Sequence, residues 1–442
     1  MSTAYDLVIR NATLVGHFGR AQADVGVRDG RTAAIGDLAR ATAAESIDAS
    51  GLHLLPGAID TQVHFREPGN AHKEDLESGS RAAVMGGITA VFEMPNTAPP
   101  TTTTAALEDK LARASGRMHC DYAFYAGAAE DNAEALAELE QTAGCSGVKI
   151  FMGSSTGSLL VADDETLERV LRSGHRRVAV HAEDEPRLEA RKAQRRTGDP
   201  ASHADWRDAE TALAATRRIV ALARRAGRRI HVLHVSTAEE MAFLADHKDI
   251  ASVETTPQHL TLAAPECYDR LGSLAQMNPP IRDEGHRAAL WDAVADGRVD
   301  VIGSDHAPHT AEEKAGAYPD TPSGMPGVQT LLPLLLDHHA AGRLSLERVV
   351  DLVSHGPARL FGLRDKGRLA IGFHADYSLV DLAARWRIER DWLASKCGWS
   401  PFEGIKLTGK PVGTVIRGQM VMREGALTRP SAGRPVRFQE TI

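Results

Sequence analysis

Only four cysteines occur in the 442 residues. Cys120, Cys145, Cys267 and Cys397 form no CxxC pair and no plausible disulfide framework. No apolar run reaches the roughly 18 residues that crossing a bilayer requires. Met1 to Asp6 lack a basic region followed by an apolar stretch, so no signal peptide is read there. Basic charge is not in excess: 51 Lys and Arg stand against 59 Asp and Glu, a formal charge of −8. That balance leaves no footprint for nucleic acid or anionic lipid. There is no low-complexity segment, no short repeat, and no glycine-rich dinucleotide turn after an early strand. What is present is globular in proportion, 43% hydrophobic and 25% charged, too apolar for a disordered chain. The expectation is a soluble cytoplasmic protein with a large core and no nucleic-acid or membrane partner. A prior of about three domains follows from roughly 150 residues per domain, although barrels exceed that size.

The ends of the chain read as short strands. Tyr5 to Val15, Ala23 to Arg28 and Thr32 to Ile35 are β-prone, with Asp29-Gly30 as a hairpin turn. Ala375 to Val380, Gly413 to Arg417 and Gln419 to Met422 match them at the other end, with Gly418 marking a turn. One small β-domain from both termini (1–55 plus 365–442) is expected. From 56 to 364 short apolar runs alternate with helix-like segments. The runs are Ala90–Met94, Gly147–Phe151, Arg177–Val180, Arg229–Val235, Ala251–Glu254 and Val299–Ile302; Glu210–Ala226 and His286–Ala295 are helical in character. Strand and helix alternating over about 300 residues predict an α/β domain with a parallel sheet. The length fits a (β/α)8 barrel, which takes about 250 residues.

Residues with ligand chemistry recur where these runs end. His64 and Arg66 follow Ile59-Asp60-Thr61-Gln62-Val63, Lys149 sits in Gly147–Phe151, His181 ends Val178–His181, and Asp305 ends Val301–Asp305. In a barrel such ends converge on one face, and histidine with carboxylate there is what a catalytic zinc site requires. His231 and His234 are three apart; strand alternation sends them to opposite faces, and His234 is the one expected to face the axis. Lys149, among Val148, Ile150 and Phe151, either snorkels to the surface or sits at the barrel mouth, where cations favour a neutral amine. Such an amine can take up carbon dioxide as a carbamate bridging two metals. Asp305 either ligates metal alone or also shuttles a proton. His306 is expected to pack structurally, and His309, in the loop beyond, to contact substrate. Arg66 has the planar fork that holds a carboxylate, and Asn96 ends Met94-Pro95-Asn96.

Gly57-Ala58-Ile59-Asp60-Thr61-Gln62-Val63-His64-Phe65-Arg66-Glu67-Pro68-Gly69 resembles the signature of dihydroorotases in the amidohydrolase superfamily. So do Lys73 to Ser80, Met94 to Thr97, Met277 to Arg282 and Ser304 to His309. The resemblance covers nearly the whole chain. It implies a (β/α)8 barrel with a β-sandwich from both termini, and zinc-dependent interconversion of L-dihydroorotate and N-carbamoyl-L-aspartate in pyrimidine synthesis. It implies His64, Lys149 as its carbamate, His181, His234 and Asp305 as ligands of one or two zinc ions, with Asp305 as proton shuttle. Arg66, Asn96 and His309 would hold the substrate carboxylate, Asn278 would read the ring, and the backbone at Pro326-Gly327 would close over it.

Two departures matter. The superfamily carries His-x-His on its first strand, where this chain has Gln62, a poorer zinc ligand than imidazole. And Lys149-Ile150-Phe151-Met152 is more similar to hydantoinases and allantoinases, some bacterial dihydroorotases using an aspartate bridge. A hydantoinase-, dihydropyrimidinase- or allantoinase-like hydrolase is therefore the alternative. A third reading is a catalytically impaired partner of aspartate transcarbamoylase. The family resemblance also implies a homo-oligomer.

Overall fold

The structure, a computed structural model, describes residues 4–155 and 159–439. Eight strands form its central sheet in chain order: β1 (Ala58–Val63), β2 (Ile88–Glu93), β3 (Asp121–Gly127), β4 (Cys145–Phe151), β5 (Val178–His181), β6 (Ile230–Val232), β7 (Ala251–Thr255) and β8 (Val301–Ile302). Each neighbouring pair is parallel. The seam between first and last closes just beyond β8, where Val63 bridges to His306 and the His64 N–H donates to the His306 carbonyl at 2.7 Å. The expected barrel is what forms.

Every residue of β2, β3 and β4 is buried, as strands covered on both faces require. Alternate positions separate into two apolar clusters. Val91, Tyr122, Phe124, Val148, Ile150 and Val180 pack outward against the helices. Ile59, Ala90, Phe92, Ala123, Tyr125 and Ala179 fill the interior with Phe361 and Phe438. The helix Ala209–Ala226 shows how a covering element is set. Asp208 caps its start by accepting from the Thr211 N–H, and Gly227 ends it in the left-handed region (φ 69°).

Both ends of the chain build one further mixed sheet of nine strands. The joint is local: His53–Pro56 pairs antiparallel with Tyr377–Val380. Leu7, Ile9, Val25, Leu54, Tyr377 and Val415 share its core. Asp29 and Gly30 (φ 52° and 72°), like Arg417 and Gly418 (φ 45° and 72°), both take positive φ, which two-residue hairpins of this type demand. Strands Tyr377–Arg387 and Lys406–Ile416 run further than the sequence suggests. Their extensions alternate exposed and half-buried residues, so no apolar run marks them. β3 was not singled out at all, although Tyr122–Ala126 is continuously apolar. No helix among the described residues is long and apolar enough to cross a membrane.

Candidate active site

One cavity opens at the C-terminal ends of the barrel strands. Gln62, His64 and Arg66 reach it from the end of β1, Asn96 from beyond β2, Lys149 from β4, His181 from β5, His234 from beyond β6, and Asp305 from beyond β8; Asn278 comes from a loop. The structure thus gathers every side chain expected to ligate metal or bind substrate except His309.

The ligand-type side chains stand in two pairs. His64 Nε2 lies 3.2 Å from Asp305 Oδ1, while its Nδ1 is 2.7 Å from Asn96 Oδ1. Burial pushes the His64 ring down, toward neutrality. With Nδ1–H donating to the Asn96 amide oxygen, the Nε2 lone pair faces a carboxylate oxygen, a place that a cation would fill. In the second pair His181 Nδ1 lies 3.0 Å from His234 Nε2, and His181 Nε2–H donates to Glu183 at 2.9 Å. Glu183 is held down to about 2: burial opposes this, and Arg207 and His181 overcome it. It therefore fixes the tautomer that leaves Nδ1 of His181 with a lone pair, as the outer partners of metal-bound histidines do.

Among the described residues no three His, Cys, Asp or Glu side chains form a group able to hold a metal ion. Lys149 is what adjoins both pairs. Burial pushes the rings of His181 and His234 down, and the charge of Lys149 adds to that push. Burial outweighs Asp305 and Glu254 and lowers the Lys149 amine to about 7, so much of it is neutral at that pH. A carbamate there would add the oxygen ligands the pairs lack. Gln62 sits beside the first pair. Its Nε2 donates to Asp305 Oδ1 at 3.0 Å, and its Oε1 is buried with no partner among the described residues.

Three of these residues adopt positive φ without being glycine: Arg66 (63°), His234 (38°) and Asp305 (44°). Such backbone is costly and clusters at functional sites. It also corrects the strand-alternation argument. His231 does point inward, bonding Ser252 and Glu254 and packing on Phe361, and Leu233 follows it into the interior cluster. His234 enters the site because the chain has left the strand and turned back. Both histidines are inside, at different levels. His306 packs as expected, its Nδ1 accepting from the Gly327 N–H at 3.1 Å.

Arg66 is 4% exposed, and its Nε donates to the Pro308 carbonyl at 3.1 Å. Burial lowers its pKa to about 10, which leaves it charged. Among the described residues it makes no ion pair. His309 stands behind it, not on the cavity wall: Nδ1 accepts from Lys73 at 3.1 Å, Nε2 donates to the Ser323 carbonyl at 3.0 Å, and the Arg66 guanidinium is 3.2 Å away. Burial, then Arg66 and Lys73, push this ring far down and keep it neutral. Asn278 accepts from His203 at 2.8 Å and donates to Ser155 at 3.3 Å. Pro326 and Gly327 do not close over the cavity, since they line a separate small pocket with His306. The wall is formed instead by Ala307, Ser323 and Gly324, with Phe151 and Ser155. Sequence reading missed these, and missed Glu183, whose spacing in His181-Ala182-Glu183 was the available signal.

A barrel of eight parallel strands with histidines, a lysine and an aspartate gathered at its strand ends defines the class as a barrel hydrolase. The chain belongs to the amidohydrolase family, whose model matches residues 53–421. It is 40% identical over 386 residues to a dihydroorotase of Halobacterium salinarum, covering 87% of this chain and 89% of that one. To an allantoinase of Rubrobacter xylanophilus it is 37% identical over 454 residues, covering 99% and 98%. The solved structure of an L-hydantoinase (dihydropyrimidinase) from Arthrobacter aurescens superposes with a TM-score of 0.93 at 31% identity, covering 98% and 99%. All three relatives are cyclic amide hydrolases, and this chain is an enzyme of that kind.

Proposed function

We propose that the enzyme is a dihydroorotase, interconverting L-dihydroorotate and N-carbamoyl-L-aspartate in cytoplasmic pyrimidine synthesis. Arg66 carries this reading. A buried guanidinium with no carboxylate partner among the described residues is costly unless a ligand supplies the anion. Dihydroorotate bears a carboxylate beside its ring amide; hydantoin and dihydrouracil are neutral. Asn96 and Asn278 add polar contacts for carboxylate and ring, and the Pro308 carbonyl, accepting from Arg66 Nε, holds the guanidinium in place.

The donor set fits a divalent metal, zinc first. His64 and Asp305 would hold one ion and His181 and His234 another, with Lys149 as carbamate between them; Gln62 weakens the first position. When bound, the metal supplies Lewis acidity and lowers the pKa of water to about 7. The chain's own contribution to proton movement is Asp305. Its carboxylate, oriented by the Gln62 amide N–H, takes the proton of the attacking water and returns it to the departing ring nitrogen, while Arg66 keeps the ring in register.

Arg66→Met tests the assignment. Removing one partner of a buried charge pair costs about 2–4 kcal/mol, so kcat/KM for dihydroorotate should fall roughly 30- to 1,000-fold. Turnover of a neutral ring should change less than threefold. Equal loss on both substrates would remove the argument and favour the hydantoinase-like reading.

A further inference from the structure

The segment between β5 and the helix Ala209–Ala226 contributes no strand to the barrel, yet it reaches the site twice. Arg207 pairs with Glu183, behind His181. His203, in the short helix Ser202–Trp206, stands behind Asn278. His203 is 1% exposed, whereas Asn278 lines the cavity.

The contacts of the His203 ring fix its proton. Nε2 lies 3.2 Å from the Met277 carbonyl, which can only accept, so Nε2 carries the hydrogen. Nδ1 then accepts from the Tyr318 hydroxyl, 3.4 Å away. Burial, then Arg207, lower the ring's pKa to about 3, which keeps it neutral with a single N–H. That N–H also points at the Asn278 side chain, at 2.8 Å, and only the amide oxygen can accept it. Asn278 Nδ2 is thereby turned the other way, toward Ser155 at 3.3 Å and the cavity that both residues line.

An asparagine amide has a donor at one end and an acceptor at the other, and an unanchored one can present either. We propose that His203 is a positioning residue that locks Asn278 with its NH2 toward the ring, so that the site selects rings with a carbonyl oxygen at that edge and rejects those with an N–H there. Arg66 donates as well. Both reading groups therefore demand acceptors, a carboxylate for Arg66 and a ring carbonyl for Asn278. The inference rests on the contact between Asn278 and the ring proposed above, not on the choice of dihydroorotate.

Steady-state kinetics of H203M, N278A and the double variant test it, with L-dihydroorotate and hydantoin both assayed and the cycle read on whichever ring is turned over. His203→Met removes the donor and keeps much of the volume. KM should rise about tenfold with kcat within roughly threefold, because the lost contact serves ground state and transition state alike. On N278A the same substitution should add less than about twofold, since its effect passes through the amide. His203→Gln, whose amide N–H can replace that of the imidazole, should recover most of the loss. Asn278→Asp keeps the shape and the His203 contact but turns an oxygen toward the ring carbonyl; kcat/KM should fall at least roughly a hundredfold. That variant carries the test if the Tm of H203M shows it misfolded. Parent-like KM in folded H203M, losses that add to those of N278A, or near-parent activity of Asn278→Asp would overturn the proposal. No effect of N278A would remove the ring contact itself, whereas an effect of N278A without one of H203M would remove only the role of His203.

Discussion

Lys149 and Gln62 decide how the centre is built. A carbamate forms from the neutral amine, and the Lys149 amine is neutral above about 7 because burial outweighs the pull of Asp305. Metal uptake by metal-free enzyme in bicarbonate should therefore rise between pH 6 and pH 8, and fall as the amine protonates below about 7. Metal analysis after gel filtration at each pH reads this directly; uptake independent of pH and bicarbonate would exclude a carbamate. Gln62→His should raise bound zinc from about one to about two per chain, since imidazole is the stronger ligand. The residues of this centre were largely legible in the sequence, because histidine, lysine and aspartate at the ends of apolar runs carry their own signal. His309 was misplaced because a loop residue's neighbours are set by packing. Its partners Lys73 and Ser323 lie far from it or on another turn of the chain.

At the level of elements, the site depends on where strands stop. β6 ends at Val232, and the positive φ of His234 returns a residue to the barrel axis that strict alternation would send outward. Periodicity alone could not reveal that turn. The wall opposite is held by Gly324 (φ 135°), where an added Cβ would lie 2.4 Å from the Ala307 carbonyl. Gly324→Ala should cost more than about 1 kcal/mol of stability. It should also reduce turnover, because Ala307 and Ser323 line the cavity. Thermal unfolding together with steady-state kinetics checks both; an unaltered Tm would show that the loop is free to yield.

Over the whole molecule, the two chain ends act as one element. His53–Pro56, two residues before the barrel begins, hydrogen-bonds to Tyr377–Val380, and Tyr377, Leu379 and Val415 complete the core that Leu7, Ile9 and Leu54 begin. A chain ending before Ala375 should not yield soluble, cooperatively folding protein, as solubility and circular dichroism would show. The matching β-rich ends made this sheet legible, but the lengths of Tyr377–Arg387 and Lys406–Ile416 were not, since their outer halves face solvent. The central claim is that a buried, unpaired Arg66 selects an anionic cyclic amide. It is tested most directly by measuring turnover of L-dihydroorotate, hydantoin, allantoin and dihydrouracil side by side with zinc-loaded enzyme in bicarbonate. The account predicts dihydroorotate favoured at least a hundredfold in kcat/KM, the order expected of about 3 kcal/mol from a buried charge pair. Preference for any neutral ring, or no turnover of dihydroorotate, would contradict it.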